Sequence, residues 1–307
     1  LIDPHGGLRD LEQRVLRHVS DAFSEDPLRV LRVARFAAQL AHHGFTIAPQ
    51  TLALLRSMAA SGELQALRAE RVWRETQKAL LSARPDIFIS ALRDCDALAV
   101  VYPEIDRLFG VPQPQQWHPE IDTGIHLLMA MRMAARLSED PAVRFAVLMH
   151  DLGKGTTPAE LLPRHLGHER RSVELLAQLC ERLPVPTRYR QVATLVAAHH
   201  GTVHRAMEMR PGRIFALLRS LDALRQPERL DAVLSACEAD ARGRLGLEER
   251  AYPQAQRIRA AARAAAAVRH ADVPGIEALQ GAAIGEALRS AQLAAVTTAL
   301  GDPPGDV

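Results

Sequence analysis

Histidines and aspartates at the ends of apolar runs are the residues of this sequence best placed to do chemistry. In VRFAVLMHDLGKG, an apolar run from Val143 to Met149 delivers His150 and Asp151 side by side, and Gly153 and Gly155 are expected to stop the helix there. Such a run predicts burial. A neutral imidazole and a carboxylate leaving a buried helix together are costly unless something satisfies both, and a divalent metal takes both ligand types at once. The pair fits equally a core histidine held by its neighbouring acid. The wider pattern adds His126 in TGIHLLMAM, His168 in LGHERRS, His199 and His200 in VATLVAAHHG, and Asp240 in SACEADARGR, each at an element end or on an inward face. Of 38 basic residues only Lys78 and Lys154 are lysine. An ammonium kept beside the His-Asp pair fits a compact point charge against a phosphate oxygen, although Lys78 has no such explanation.

A second group lies in SEDPLRVLRVARFAAQLA, where Arg29, Arg32 and Arg35 recur at every third residue. On a helix each is displaced by about 60° from the last, so the three cover one side. With no acid between them the guanidiniums repel, and a phosphate chain or an acidic partner would relieve that; a solvated face is the plainer account. Leu28, Leu31 and Phe36 are expected to face a core, and Asp26 can cap this helix with Pro27 at its first position. Asp94 and Asp96 superficially offer a metal-binding Asp-x-Asp, but positions two apart on a helix point about 200° apart, so both read as surface residues.

The elements that must position these groups are helical. Hydrophobic content of 48% with 4% aromatics, and heavy use of Ala, Leu and Arg, predict an all-α fold. At 307 residues the chain exceeds a typical domain of about 150 residues, so two or three packed units are expected. No apolar run reaches the length of about 18 residues expected of a membrane span. Cys95, Cys180 and Cys237 are widely spaced and odd in number, which fits free thiols in a reducing cytoplasm. A net charge of +2 does not itself demand a nucleic-acid partner, which local arginine patches would have to meet. LRDLEQRVLRHV reads as an amphipathic helix through Leu8, Leu11, Val15 and Val19, and VPQPQQWHPE as a hinge. Beyond Asp240 helices are expected to about Ala299, with a turn at LQGAAIGEALRSAQ. Arg213, Arg219 and Arg225 lie in the segment before Asp240. The chain opens on Leu1 without a methionine and reads as a fragment.

The His126, His150-Asp151 and Asp240 pattern resembles the HD phosphohydrolase family, whose helical bundle binds one or two metals. The resemblance implies His126, His150, Asp151, His168, His200 and Asp240 as metal ligands or phosphate contacts, with His150, Asp151 and Lys154 catalytic. EDPLRVLRVARFAAQL, together with IDPHGGLRDLEQRVLRH and ERVWRE, resembles the neck of bacterial class II tRNA nucleotidyltransferases. It implies that Glu25, Asp26 and Arg29 act as an amino-acid template for the incoming base, while Arg32 and Arg35 contact its phosphates. An aspartate and an arginine can indeed present an acceptor and donors to the Watson-Crick edge of C or A. The combination is similar to the multifunctional CCA protein family, and the resemblance divides the chain into a neck and body (1–118), an HD domain (119–250) and a helical tail (251–307). What it implies is CCA addition from CTP and ATP to tRNA, with Mg2+ serving nucleotidyltransfer in a head that this sequence does not include. It also implies 2′,3′-cyclic phosphodiesterase, 2′-nucleotidase and phosphatase activities in the HD domain. These would run on a transition metal such as Ni2+, Co2+ or Mn2+, or on Mg2+. No membrane partner is implied, and a homodimer stays open. A free-standing HD nucleotidase and a non-enzymatic RNA-binding helical module are the rival readings.

Overall fold

The computed structural model describes residues 2–301. Helices dominate it, and the strand content among those residues is one short parallel pair. Helix α1 (Gly7–Glu12) stops where Arg14 takes φ 56, and β1 (Val15–Leu16) then pairs with β2 (Thr46–Ile47). A long side chain in left-handed geometry cannot continue a right-handed helix. The expected amphipathic helix through Val19 is therefore cut short, and Leu8, Leu11 and Val19 are exposed.

Helix α2 (Arg29–Leu40) starts two residues after Pro27, followed by α3 (Pro49–Ala60), α4 (Ala69–Leu80), α5 (Pro85–Asp94), α6 (Ala97–Val101) and α7 (Pro103–Asp106). The buried stripe of α2 runs through Val30, Leu31, Ala34 and Ala38 and packs on α4 and α5. Phe36 lies on the other side of that stripe. It is 43% exposed instead of inward, with the Arg35 guanidinium over its ring at 4.0 Å. Asp94 and Asp96 are exposed, as expected.

The second half opens with α8 (Thr123–Leu137) and α9 (Pro141–Met149) and continues through α10 (His168–Arg182), α11 (Thr187–His204), α12 (Pro211–Ser220) and α13 (Pro227–Arg242). Helix α9 is its centre: residues 142–149 are all buried, against α8, α11 and α13 on its sides and α4 from the first half. Asp140 accepts from Ala142 N at 2.9 Å and Pro141 occupies the first turn, so α9 has a sharp start. It ends at Met149, ahead of the glycines, which lie in a 3-10 segment, Leu152–Thr156. The tail is α14 (Pro253–Ala267) and α15 (Ala282–Leu300); the second takes up most of the stretch expected as a turn.

One core runs through both halves. Trp73 of α4 meets Phe145 and Tyr189 edge-on, with ring centroids 5.5 and 5.4 Å away. The buried Arg144 guanidinium donates to the carbonyls of Leu80 and Ser82 at 2.7 and 2.8 Å. The connector expected to act as a hinge is tied down as well: Gln113 and His118 are buried, and Pro112 bridges Asp122. Cys95 and Cys237 are buried thiols and Cys180 is half-buried. Among the described residues no helix is long and apolar enough to cross a membrane.

Candidate metal centre and nucleotide-facing neck

Five helices, α8, α9, α10, α11 and α13, and one 3-10 turn meet around His150 and Asp151. His150 Nδ1 lies 2.7 Å from the Val147 carbonyl, which places the ring proton there and leaves Nε2 a bare lone pair. That Nε2 is 3.1 Å from Asp151 Oδ2 and 3.8 Å from Asp240 Oδ1, and Asp240 Oδ1 is 3.0 Å from His126 Nε2. Four ligand atoms from α8, α9, the turn after it and α13 thus converge. On the other oxygen of Asp151 a second set forms. His168 Nε2 and His200 Nε2 each lie 3.5 Å from Asp151 Oδ1 and 3.2 Å from one another. Both rings hold Nδ1 against a backbone carbonyl, of His165 at 2.8 Å and of Val196 at 3.0 Å. Neither Nε2 then carries a proton to donate to the other.

Acceptors that face acceptors in a buried site call for a cation. His150 Nε2 and Asp151 Oδ1, which face that cluster, are buried without a hydrogen-bond partner among the described residues. The donor set, imidazole nitrogens and carboxylate oxygens, suits a divalent transition ion. His126, His150 and Asp151 form one group with ligand atoms close enough to share an ion, and Asp151, His168 and His200 form another. Burial works against charge on His150, yet the Asp151 and Asp240 carboxylates outweigh it and raise its pKa. Burial would push Asp151 and Asp240 up, but the cationic groups around them hold both well below the usual carboxylate range. Burial, opposed by Asp151, takes His200 down to about 3, so it is a neutral ring near pH 7.

Each predicted ligand is therefore in the cluster, and Lys154 joins it. Its Nζ is 2.7 Å from Asp151 Oδ2 and 2.9 Å from Gln113 Oε1. Gly153 makes this possible by close approach: a Cβ there would run into the His168 carbonyl and Ser172 N. His199 points elsewhere, into a groove with Arg205, Arg210 and Arg213. Four residues of the site escaped sequence reasoning. His204 Nε2 holds Asp240 Oδ2 at 2.6 Å and its Nδ1 meets Tyr252 Oη at 2.9 Å; it lies one turn beyond His200 on the same helix. Gln113, His118 and Glu120 come from the connector, with Glu120 Oε1 3.1 Å from His118 Nδ1 and 3.0 Å from His126 Nδ1. A histidine and an acid two apart beside the first predicted ligand was the available signal.

In the neck, α2 and α4 are laced by ion pairs. Arg71 Nη2 meets Asp26 Oδ2 at 2.9 Å, and Arg35 Nε meets Glu75 Oε2 at 2.6 Å. Glu75 Oε1 also lies 3.7 Å from Arg32 Nε, so the acid relieving the arginine repulsion comes from ERVWRE. Arg35 is buried; the Arg32 side chain is 46% exposed. Arg29 donates to the Ala22 carbonyl at 2.6 Å and lies over the Phe23 ring. Asp26 Oδ1 accepts from Leu28 N at 3.1 Å, but α2 begins at Arg29 with Leu28 at its N-cap and no side-chain cap bond, so the expected cap with Pro27 at the first position is not formed. Glu25 is exposed.

Comparison with known proteins adds independent observations. The HD domain family matches residues 123–245, and a family described as probable RNA and SrmB-binding site of polymerase A matches residues 44–109. A protein of Thioalkalivibrio sulfidiphilus named multifunctional CCA protein is 56% identical over 96% of this chain and 72% of its own length. One from Acinetobacter baumannii with the same name is 54% identical over 94% of this chain and 69% of its own. Among solved structures, a CCA-adding enzyme in complex with ATP superposes with a TM-score of 0.59 at 17% identity, over 100% of this chain and 62% of the other. A Thermotoga maritima CCA-adding enzyme complexed with tRNA gives 0.55 at 17% identity, over 99% of this chain and 65% of the other.

Proposed function

The chain belongs to the multifunctional CCA protein family, and from that membership we propose that its HD unit is a metal-dependent phosphohydrolase and its neck the nucleotide-selecting part of a CCA-adding enzyme. The observation that carries the first half is the pair of acceptor sets sharing buried Asp151. His126, His150, Asp151 and Asp240 would hold one divalent ion, with His168 and His200 adding a second position on the far oxygen of Asp151. A cation bound there supplies Lewis acidity toward a phosphoryl oxygen and acidifies water. The protein's own groups do the rest. Backbone carbonyls fix the tautomers of His150, His168 and His200, His204 and Arg244 orient Asp240, and Lys154 places one positive charge where a phosphate oxygen would lie. The substrate class is a nucleotide phosphoester, with a 2′,3′-cyclic nucleotide as the first choice. Hydrolysis of that compound by this chain should cease with chelator and return with Ni2+, Co2+ or Mn2+. Activity that survives in His150→Ala would refute the assignment.

The neck supports the second half through arrangement alone. Asp26 stands at the start of α2 with Arg29 and Arg32 following along one side, and Arg32 keeps an exposed guanidinium for phosphate. Arg35, committed to Glu75, supports that face from inside. CTP, ATP and tRNA are the partners this reading names, with Mg2+ serving polymerisation in a separate head and the cytoplasm as its compartment.

A further inference from the structure

Glu120 is a buried carboxylate, its side chain 2% exposed, with Oε1 between two imidazoles: His118 Nδ1 at 3.1 Å and His126 Nδ1 at 3.0 Å. It comes from the connector WHPE and is held in place on several sides. Its Oε2 faces Leu245 N at 3.4 Å, and Gln113 Nε2 lies 3.5 Å from Oε1. Ile121, directly after it, has φ 61, a conformation a β-branched residue rarely adopts. Strain of that kind persists only where the surroundings impose it. Here it turns the chain between an inward Glu120 and Asp122, whose carboxylate caps α8 two residues before Gly124.

Three of the four ring ligands share one device. His150, His168 and His200 each set Nδ1 against a backbone carbonyl, so that Nε2 is left as the lone pair facing the cluster. His126 lacks a carbonyl there. Its Nδ1 faces Glu120 instead, and its Nε2 points at Asp240. Two tautomers compete. With the proton on Nε2 the ring donates to Asp240 and sets a bare Nδ1 against the Glu120 carboxylate. With the proton on Nδ1 it donates to Glu120 and offers Nε2 to the cluster. The two atoms are within hydrogen-bond distance although not aligned, so a small ring rotation completes the bond. Only the second tautomer makes His126 a metal ligand.

We propose that Glu120 is the positioning residue of this centre, a carboxylate that fixes His126 in its metal-binding tautomer. Reading His118, Glu120 and His126 as a separate metal site is less economical. His126 would then need to lose both ring protons to serve two ions. Through Gln113, which accepts from Lys154 at 2.9 Å, the same connector also steadies the lysine, so residues 113–120 form one wall of the site.

This inference rests on the metal reading, and the test separates them. Co2+ affinity is measured by competition with a chromophoric chelator for wild type, Glu120→Gln and Glu120→Ala, alongside unfolding of each in chelator. An amide oxygen still accepts from Nδ1–H but without charge, and alanine offers nothing. The expected order is wild type, then Gln, then Ala, with the last about ten- to a hundredfold weaker, the usual cost of losing such a support. The loss should appear in affinity even where the chelated variants unfold at matching midpoints. Equal affinities across the three would overturn the role of Glu120 while leaving the metal centre standing. Affinity losses that simply track lower unfolding midpoints would make Glu120 a packing residue. Wild type that takes up no Co2+ would overturn both readings, and a second Co2+ lost only in Glu120→Ala would mean that Glu120 is itself a ligand.

Discussion

Lys154 shows how much a single side chain is asked to do. Its ammonium is buried and spends two of its three donors on Asp151 and Gln113; on the reading proposed above the third would meet a substrate phosphate. Removing a charge aimed at a reacting phosphate costs on the order of a hundredfold in turnover, so Lys154→Met should fall by about that much. Lys154→Arg should not restore it, because a planar fork cannot take the place of a compact ammonium in a buried slot. Wild-type turnover in the arginine variant would show that any buried cation suffices. Arg35 warns against reading a nucleotide role from a motif position alone. Its guanidinium neutralises buried Glu75, and removing one partner of such a pair costs about 3–5 kcal/mol. A folding assay has to accompany any nucleotide-binding measurement on Arg35→Ala. Arg32, half exposed and 3.7 Å from Glu75, carries less of that complication.

At the scale of elements, α9 sets the site, and its start is a testable joint. Asp140 caps it and pairs with Arg188 of α11 through Oδ1 at 2.8 Å. Burial pushes the Asp140 carboxyl up, but the Arg188 bond and the Ala142 N–H outweigh it and leave the pKa lowered. A carboxylate depressed on folding stabilises above its unfolded pKa of about 3.9 and loses that contribution as the pH falls through the folded value. Asp140→Ala should therefore cost about 1 kcal/mol at pH 7, mostly from the cap because the Arg188 pair is half exposed. The gap from wild type should narrow below pH of about 3.9, as measured by denaturant unfolding. Elements also explain what the sequence hid. The His150-Asp151 pair was legible because a run of apolar residues has to be buried and its last residues have to be satisfied. His126, His168, His200 and Asp240 stood out in sequence only as groups at element ends or on inward faces, and it was the resemblance to the HD family that joined them to the pair as one set. Glu120 and Gln113 were not, because Pro and Gln in VPQPQQWHPE carry the signature of a mobile connector, and only tertiary contacts turn it into a wall. His204 was lost to Gly201, a residue that ends many helices; here α11 runs on through it. Leu8, Leu11 and Val19 have the helical period, yet the left-handed Arg14 interrupts it.

For the whole molecule, the continuous core through Trp73, Phe145 and Tyr189 means that neck and HD unit are held as one body, while the proposed function assigns them separate chemistry. In an enzyme that joins this neck to a nucleotidyltransferase head, Asp26→Ala should relax selection against U and G by roughly one to two powers of ten, the weight of one lost base hydrogen bond. Arg32→Ala should weaken all four nucleotides alike, because a phosphate contact does not see the base. Equal losses for every nucleotide in Asp26→Ala would leave it a partner for Leu28 N and Arg71. Metal placement bears on the central claim most directly. An anomalous difference map from crystals of this chain grown with Mn2+ or Co2+ should show a peak in contact with His126, His150, Asp151 and Asp240. A map with no peak at that cluster, or with its ion bound by other residues, would contradict the account.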